Sequence, residues 1–400
     1  MQKYIIIFLF TYALNADSIF EDFLSSQNGD LNIKSIKLQQ ELISKNEFSK
    51  NYVEKIRLNL GYSRFDKSNI DDEYEVRIYP KTPSQMATQK RLYNLNKDKL
   101  NLQYQESKEL TLKSRYLLLL DTYFQKKIYK NIQKMLELDK KKLNLSVKTT
   151  NTVSDIYNLS KLKYKIKDIE FSLLEQKEHY KNLLEEIGSY ISLIDIKDLD
   201  KAIENISFIE IDETVEHKNG VKTSTKKELI RLQMLKEEIK LNKISNSLRL
   251  RSLDLGYEDR GKIDKSLSIG LSIEYAWPKR DSLQNLENNL ELIATQNEIL
   301  KTKNREDKKI LVLKKEIVSL KKRLLHLKKS TKEDKFFHTY RKLKAQNPLV
   351  ILELKKRKLE IEETKIEIEH RLYSKFINVL FATNTLTKDA LFKKYKKREK

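Results

Sequence analysis

Between Pro83 and Gly188 the chain contains neither glycine nor proline, and the same holds between Pro278 and Pro348. These two residues are the strongest interrupters of a helical pattern, so nothing local stops a helix across either stretch. Leu92, Leu95, Leu100, Leu102, Leu110, Leu117 and Leu120 recur at roughly helical spacing among Lys, Glu, Gln and Asn. A helix from Ser84 to about Val147 would extend about 100 Å at 1.5 Å per residue, and one from Lys279 to about Ala345 nearly as far. Helices of that length cannot fold back into an ordinary compact domain.

Each long helix is predicted to end at a polar turn and to be followed by a shorter returning helix. The first break is Ser146-Val-Lys-Thr-Thr-Asn-Thr-Val-Ser-Asp155, whose Ser, Thr and Asn favour caps and turns over helix interiors. The second is Ala345-Gln-Asn-Pro-Leu349, where Asn347 suits a cap and Pro348 a first helical turn. Ile156 to Ile187 and Leu349 to Phe381 then read as the returning helices.

Ahead of each long helix stands a copy of one pentapeptide, Leu58-Asn-Leu-Gly-Tyr62 and Leu253-Asp-Leu-Gly-Tyr257. Each copy leads to an alternating segment ending in proline, Tyr74 to Pro80 and Ile273 to Pro278, so the chain reads as one unit written twice. Alternation predicts strands. Leu267, Ile269, Leu271, Ile273, Tyr275 and Trp277 share one face, while Ser266, Ser268, Gly270, Ser272, Glu274 and Ala276 share the other. Leu58, Leu60 and Tyr62, then Tyr74, Val76 and Ile78, alternate in the same way. Leu248 and Leu250 fall out of phase with Leu253, Leu255 and Tyr257, which a bulge near Ser252 would reconcile. Either soluble hairpins with one buried face or strands of a membrane barrel fit this pattern. The charged linkers Arg64 to Asp72 and Glu258 to Lys265 resemble exposed loops, and no compact body offers itself for the hairpins to pack on. Four strands cannot close a barrel, because single-chain bacterial barrels begin at about eight. Closure would require several subunits.

Met1-Gln-Lys3, the apolar run Tyr4 to Phe10 and the small residues Ala13 and Ala16 have the layout of an export signal, with cleavage expected after Ala13 or Ala16. No later run is long and apolar enough for a transmembrane helix. A membrane-embedded form would therefore be a β-barrel. The chain has no cysteine, which excludes disulfides and thiol nucleophiles.

The formal net charge of +22 raises nucleic acid as a partner. The lysines are spread along the whole chain, however, and neither a zinc finger nor a surface platform of aromatics accompanies them, so no nucleic-acid partner is expected. His179, His217, His326, His338 and His370 are scattered in sequence, without the spacing of a metal site, and no glycine-rich phosphate loop exists. Neither an enzyme, a metal nor a cofactor is expected.

The order of segments (signal, helix, strand pair, long helix, turn, returning helix, then the same again) resembles the TolC-like family of outer-membrane efflux and secretion channels. The marks that carry the resemblance are the strand pairs leading through Pro80 and Pro278 into long helices, the turn Val147 to Asn158, and the closing Asn378 to Leu386. It implies a mainly α fold with membrane β-strands: a homotrimeric α-barrel and β-barrel with two structural repeats and four strands per protomer. The implied parts are a signal peptide at 1–16, a first repeat at 17–188 (strand pair 55–80, helix hairpin 84–187), a mixed collar at 189–227, a second repeat at 228–389 (strand pair 248–278, helix hairpin 279–386) and a basic tail at 390–400. The implied function is a passive conduit from a periplasmic adaptor and an inner-membrane pump across the periplasm and the outer membrane.

The same resemblance makes Leu58, Leu60, Tyr62, Val76, Ile78, Leu267, Ile269, Leu271, Ile273, Tyr275 and Trp277 lipid-facing. It places Asp155 and Glu353 at the periplasmic aperture, with Gln346, Lys344 and Tyr340 as further contacts there. Of the two acids expected in the second repeat, Val350 occupies the first place, which departs from an acidic ring. On the residues alone, Asp155 and Glu353 are equally readable as helix-start carboxylates favoured by the positive end of the dipole. The competing reading of the whole chain is an exported coiled-coil adaptor or scaffold.

Overall fold

The computed structural model describes residues 20, 22–25, 30–45, 52–66, 69–148, 152–191, 196–204, 206, 208, 211, 223–245, 249–259, 265–274, 282–333 and 348–386. In chain order the elements are α1 (Leu31–Lys45), β1 (Val53–Asp66), β2 (Asn69–Pro80), α2 (Pro83–Lys148), α3 (Val153–Tyr190), α4 (Ile196–Glu204), α5 (Thr223–Ser245), β3 (Arg249–Asp259), β4 (Lys265–Glu274), α6 (Ser282–Glu333) and α7 (Pro348–Ala382). Two units result, residues 1–34, 107–222 and 306–400 in one, 35–106 and 223–305 in the other. Each draws on both halves of the chain.

The 66-residue helix α2 starts where its cap dictates. Thr82 and Gln85 form a reciprocal box: the Gln85 amide N–H donates to Thr82 Oγ1 (3.2 Å) and the Thr82 N–H to Gln85 Oε1 (2.8 Å). Pro83 occupies the first helical position, where its missing N–H costs nothing. The end of α7 is equally specified. Asn384 adopts φ 53°, its N–H reaches Phe381 O, and the Thr385 N–H reaches Leu380 O. This is the Schellman arrangement, with asparagine in the left-handed position and the following Leu386 buried.

In the first unit the core is laid down by α2. Leu112, Tyr116, Leu119, Leu120 and Phe124 line one face of it and meet Leu184 and Ile187 of α3, Leu199 and Ile203 of α4, and Phe376 and Ile377 of α7. Each such burial contributes roughly 1.5–3 kcal/mol. Of residues 189–227, where a mixed collar is expected, the structure describes the end of α3, α4, Ile206, Phe208, Ile211 and the start of α5. Phe208 packs edge-on to Tyr123 and stacks parallel to Phe124, with Tyr373 alongside. The aromatics thus gather in the interior. Polar contacts pin α4 from below: buried Lys126 donates to the Asp200 carboxylate (2.8 Å) and main-chain oxygen (2.7 Å) and pairs with Glu204 (3.0 Å). Tyr180 also donates to Asp200, and burial, together with that bond, pushes its hydroxyl pKa up.

In the second unit the four strands form one antiparallel sheet in the order β1-β2-β3-β4. The pairing of β2 with β3 joins the two copies of the repeat directly. The expected bulge is present, with the register slipping between Leu250 and Ser252. The loops expected at Arg64–Asp72 and Glu258–Lys265 are shorter than the charge pattern implies. Strand pairing continues through Arg64–Asp66, Asn69–Asp72, Glu258–Asp259 and Lys265, because an antiparallel ladder satisfies backbone groups whatever the side chains carry. Against the sheet's helical end, Tyr93 donates to the Ile43 carbonyl (2.6 Å), and Lys227 of α5 pairs with Glu106 of α2.

Candidate functional site: a two-faced sheet and a helix-turn cleft

Directly paired residues in an antiparallel sheet point to the same side. The register therefore stacks Ile56, Ile78, Leu253 and Leu271 in one row, Leu58, Val76, Leu255 and Ile269 in the next, and Leu60, Tyr74, Tyr257 and Leu267 in a third. All twelve lie on one face. That face is bare: Leu58, Leu60, Leu267, Ile269, Leu271 and Ile273 are each more than 60 % exposed. An apolar expanse of this kind is rare on a monomer and marks a surface that something else covers. The face closes at the turn end with Asp259 and Lys265, which form an ion pair at 3.3 Å. Tyr275 and Trp277 lie outside the described residues, as does the side chain of Tyr62.

The opposite face is polar throughout. Asn59 donates to Glu75 (2.6 Å), and Arg77 bridges Glu75 (2.6 Å) and Asp254 (2.8 Å) across two strands. Glycines share this face. A Cβ on Gly61 would meet Glu73 at 3.2 Å and one on Gly256 would meet Ser268 Oγ at 2.5 Å, so the glycines leave room for polar side chains to lie across the wall. The bulge keeps the two faces separate: by absorbing Arg251 it returns Leu250 to the apolar side with Leu253.

At the helix turns of the other unit, Asp155 and Glu353 line the same cleft of about 430 Å³, with Asp139, Lys142, Lys165 and Lys356. Asp155 caps α3. Its carboxylate accepts from the Thr152 N–H (3.0 Å) and hydroxyl (2.7 Å), and its own N–H donates to Thr152 Oγ1 (3.3 Å). Glu353 accepts from Lys142 at 2.7 Å, and this bond holds its carboxyl below the ordinary range. Beneath them, buried Lys356 of α7 pairs with buried Asp139 of α2. Gln346, Lys344 and Tyr340 lie outside the described residues. Along α3, Val153, Tyr157, Tyr164, Phe171 and Leu174 form an exposed stripe with a seven-residue repeat, and Leu311, Val318 and Leu325 of α6 form another.

No protein-family model and no curated protein matches the sequence. Solved structures do match. The outer-membrane channel OprN superposes with a TM-score of 0.68 at 9% identity, over 92% of this chain and 90% of that one. The outer membrane protein VceC from Vibrio cholerae gives 0.67 at 10% identity, over 92% and 96%. The Campylobacter jejuni CmeC outer membrane channel gives 0.64 at 10% identity, over 94% and 86%. The chain has the TolC-like fold.

Within this fold the sequence-derived residues fall into two sets. The described strand residues Leu58, Leu60, Val76, Ile78, Leu267, Ile269, Leu271 and Ile273 share one face, and Asp155 and Glu353 line one cleft. Sequence reasoning missed Asp139, Lys142 and Lys356, which read as ordinary helix charges. It also missed the contact of His370 Nε2 with Asp121 Oδ1 (2.6 Å), which lie 249 residues apart in sequence. Among the described residues no helix is long and apolar enough to cross a membrane.

Proposed function

We propose that the chain is one protomer of a trimeric outer-membrane channel, a passive conduit for solutes in an efflux or secretion system. The carrying observation is the sheet with one continuous exposed apolar face and one polar, hydrogen-bonded face. An isolated soluble hairpin leaves no such face bare, whereas a barrel wall needs lipid on one side and water on the other. Three copies of four strands supply twelve, enough to close a barrel and remove every edge.

The stripes on α3 and α6 fit this assembly. They differ from one another, as a ring requires, since a rotational interface of three copies joins two unlike surfaces. The proposed partners are a periplasmic adaptor, an inner-membrane pump and outer-membrane lipid around the sheet, with the helices in the periplasm. Asp155 and Glu353, with Gln346, Lys344 and Tyr340, act at the closed periplasmic aperture. Specificity for the cargo lies with the pump, and the channel performs no covalent chemistry.

Planar-bilayer recording of the detergent-purified protein tests this directly. Discrete conductance steps are expected, altered by Asp155→Ala or Glu353→Ala. A protein that washes off membranes in salt and gives no steps would favour a periplasmic scaffold instead. Steps unchanged in both variants would remove the aperture role while leaving the channel.

A further inference from the structure

The polar face of the sheet is not uniform. The row nearest the turns holds Gly61, Glu73, Glu258 and Ser266, with two acids and no base. The next holds Asn59, Glu75, Gly256 and Ser268, with one acid. The third holds Arg57, Arg77, Asp254 and Gly270, with a surplus of one base. Nearest the helices stand Lys55 and Tyr79, then Ser252 and Ser272 beside them. The two rows at the turn end are thus net acidic and the two nearer the helices net basic, before Arg249 pairs with Glu274 at the far edge.

Two of these pairings set like charges opposite each other, the second of them offset by the ion pairs that Arg77 makes with Asp254 and Glu75. Glu73 stands directly opposite Glu258, and Arg57 directly opposite Arg77, and like charges paired across strands repel. A wall selected for folding alone would pair opposite signs in each row. Here the repulsive acid pair sits at one end and the repulsive base pair at the other. Glycines on the same face keep the acids against the wall, with Gly61 under Glu73 and Gly270 against Asp254.

We infer that this wall is an electrostatic filter whose turn-end mouth concentrates cationic solutes and whose helix-end half concentrates anionic ones. The inference rests on the barrel reading, in which three copies repeat each row as a ring. At about 0.1 M salt the screening length is about 10 Å, so the two ends of the wall are felt separately. Cations driven inward from the turn end and anions driven outward from the helix end meet mid-wall. Ionic current is then larger in that direction than in reverse.

The chain has no cysteine, which allows a local test. Single-cysteine variants Ser266→Cys and Ser272→Cys of the full-length protein, reconstituted in vesicles, are reacted with cationic and anionic methanethiosulfonates. Taking the ratio of the two rates at one cysteine cancels differences in its thiolate fraction. At about 0.1 M salt the cation-to-anion ratio is expected to be on the order of tenfold higher at position 266 than at 272. The difference should collapse at about 1 M salt, and Glu73→Gln with Glu258→Gln should bring the ratio at 266 towards that at 272. Equal ratios at the two positions in low salt, or a ratio at 266 unmoved by the double change, would overturn the inference. Leu267→Cys and Ile269→Cys test the barrel itself and separately: lipid should shield both from these reagents. Labelling of those two as fast as of Ser266→Cys would instead refute the barrel.

Discussion

The sheet and the helical core solve the same problem with opposite polarity. In the helical unit, Tyr116, Leu119, Leu120 and Phe124 turn inward and most lysines outward, Lys126 and Lys356 being buried only with carboxylate partners, the arrangement water imposes. In the sheet, leucines and isoleucines turn outward, while Arg77, Glu75, Asp254 and Asn59 bond to one another on the other side. One chain therefore carries two surfaces of opposite polarity. The contrast lies in which face of each element is apolar, and overall composition hides it.

The largest effects are expected where the helical unit is most conventionally packed. Phe124→Ala removes a ring that is 1 % exposed and should cost about 3–5 kcal/mol, measured by denaturant unfolding of the helical signal. Lys356→Ala leaves the Asp139 carboxylate buried and uncompensated, at a cost of about 3–5 kcal/mol by the same measurement. Next comes the sheet, where the comparison can be broken outright. Ile269→Arg should destabilise the lipid-reconstituted protein by about 2–4 kcal/mol. If that face met water the same change would be nearly neutral, because Ile269 is 76 % exposed in the single chain.

Smaller effects are expected at the helix turns. Thr152→Ala removes the cap of α3 and should cost about 1 kcal/mol. The smallest is a pH effect at Glu353. Lys142 lowers the folded-state pKa of this carboxyl below 4.5, so its contribution is present above the unfolded value and is lost as pH falls through the folded one. Glu353→Gln should be slightly less stable than the parent above about pH 5 and indistinguishable from it in strong acid. The half-exposed position keeps the difference small.

Local patterns in the sequence carried much of this fold. The missing Gly and Pro announced two long helices, and the polar turn before Thr152 ended α2. The far end expected near Ala345 for α6 lies outside the described residues. Alternation located the strands, and one break in phase placed the bulge beside Ser252. What escaped was long-range. Nothing local announces that Asp72 to Ile78 pairs with Leu253 to Asp259, so the ordering of the four strands and the charge gradient on their polar face emerge only from the register. The Lys356–Asp139 pair is similarly silent, because each residue alone resembles a solvated helix charge. Charged residues at Arg64–Asp66 and Asn69–Asp72 pointed to a loop, yet backbone pairing carried the strands through them. Asp155 and Glu353 were legible as turn-proximal acids, whereas their actual partners, Thr152 and Lys142, belong to geometry.

The central claim is that three copies close one barrel around a water-filled lumen, with the bare apolar face turned to lipid. Native mass measurement of the detergent-extracted protein tests it most directly. A particle of three chains is expected, one that needs detergent to stay in solution and keeps its mass when diluted. A monomer that remains soluble without detergent would contradict it.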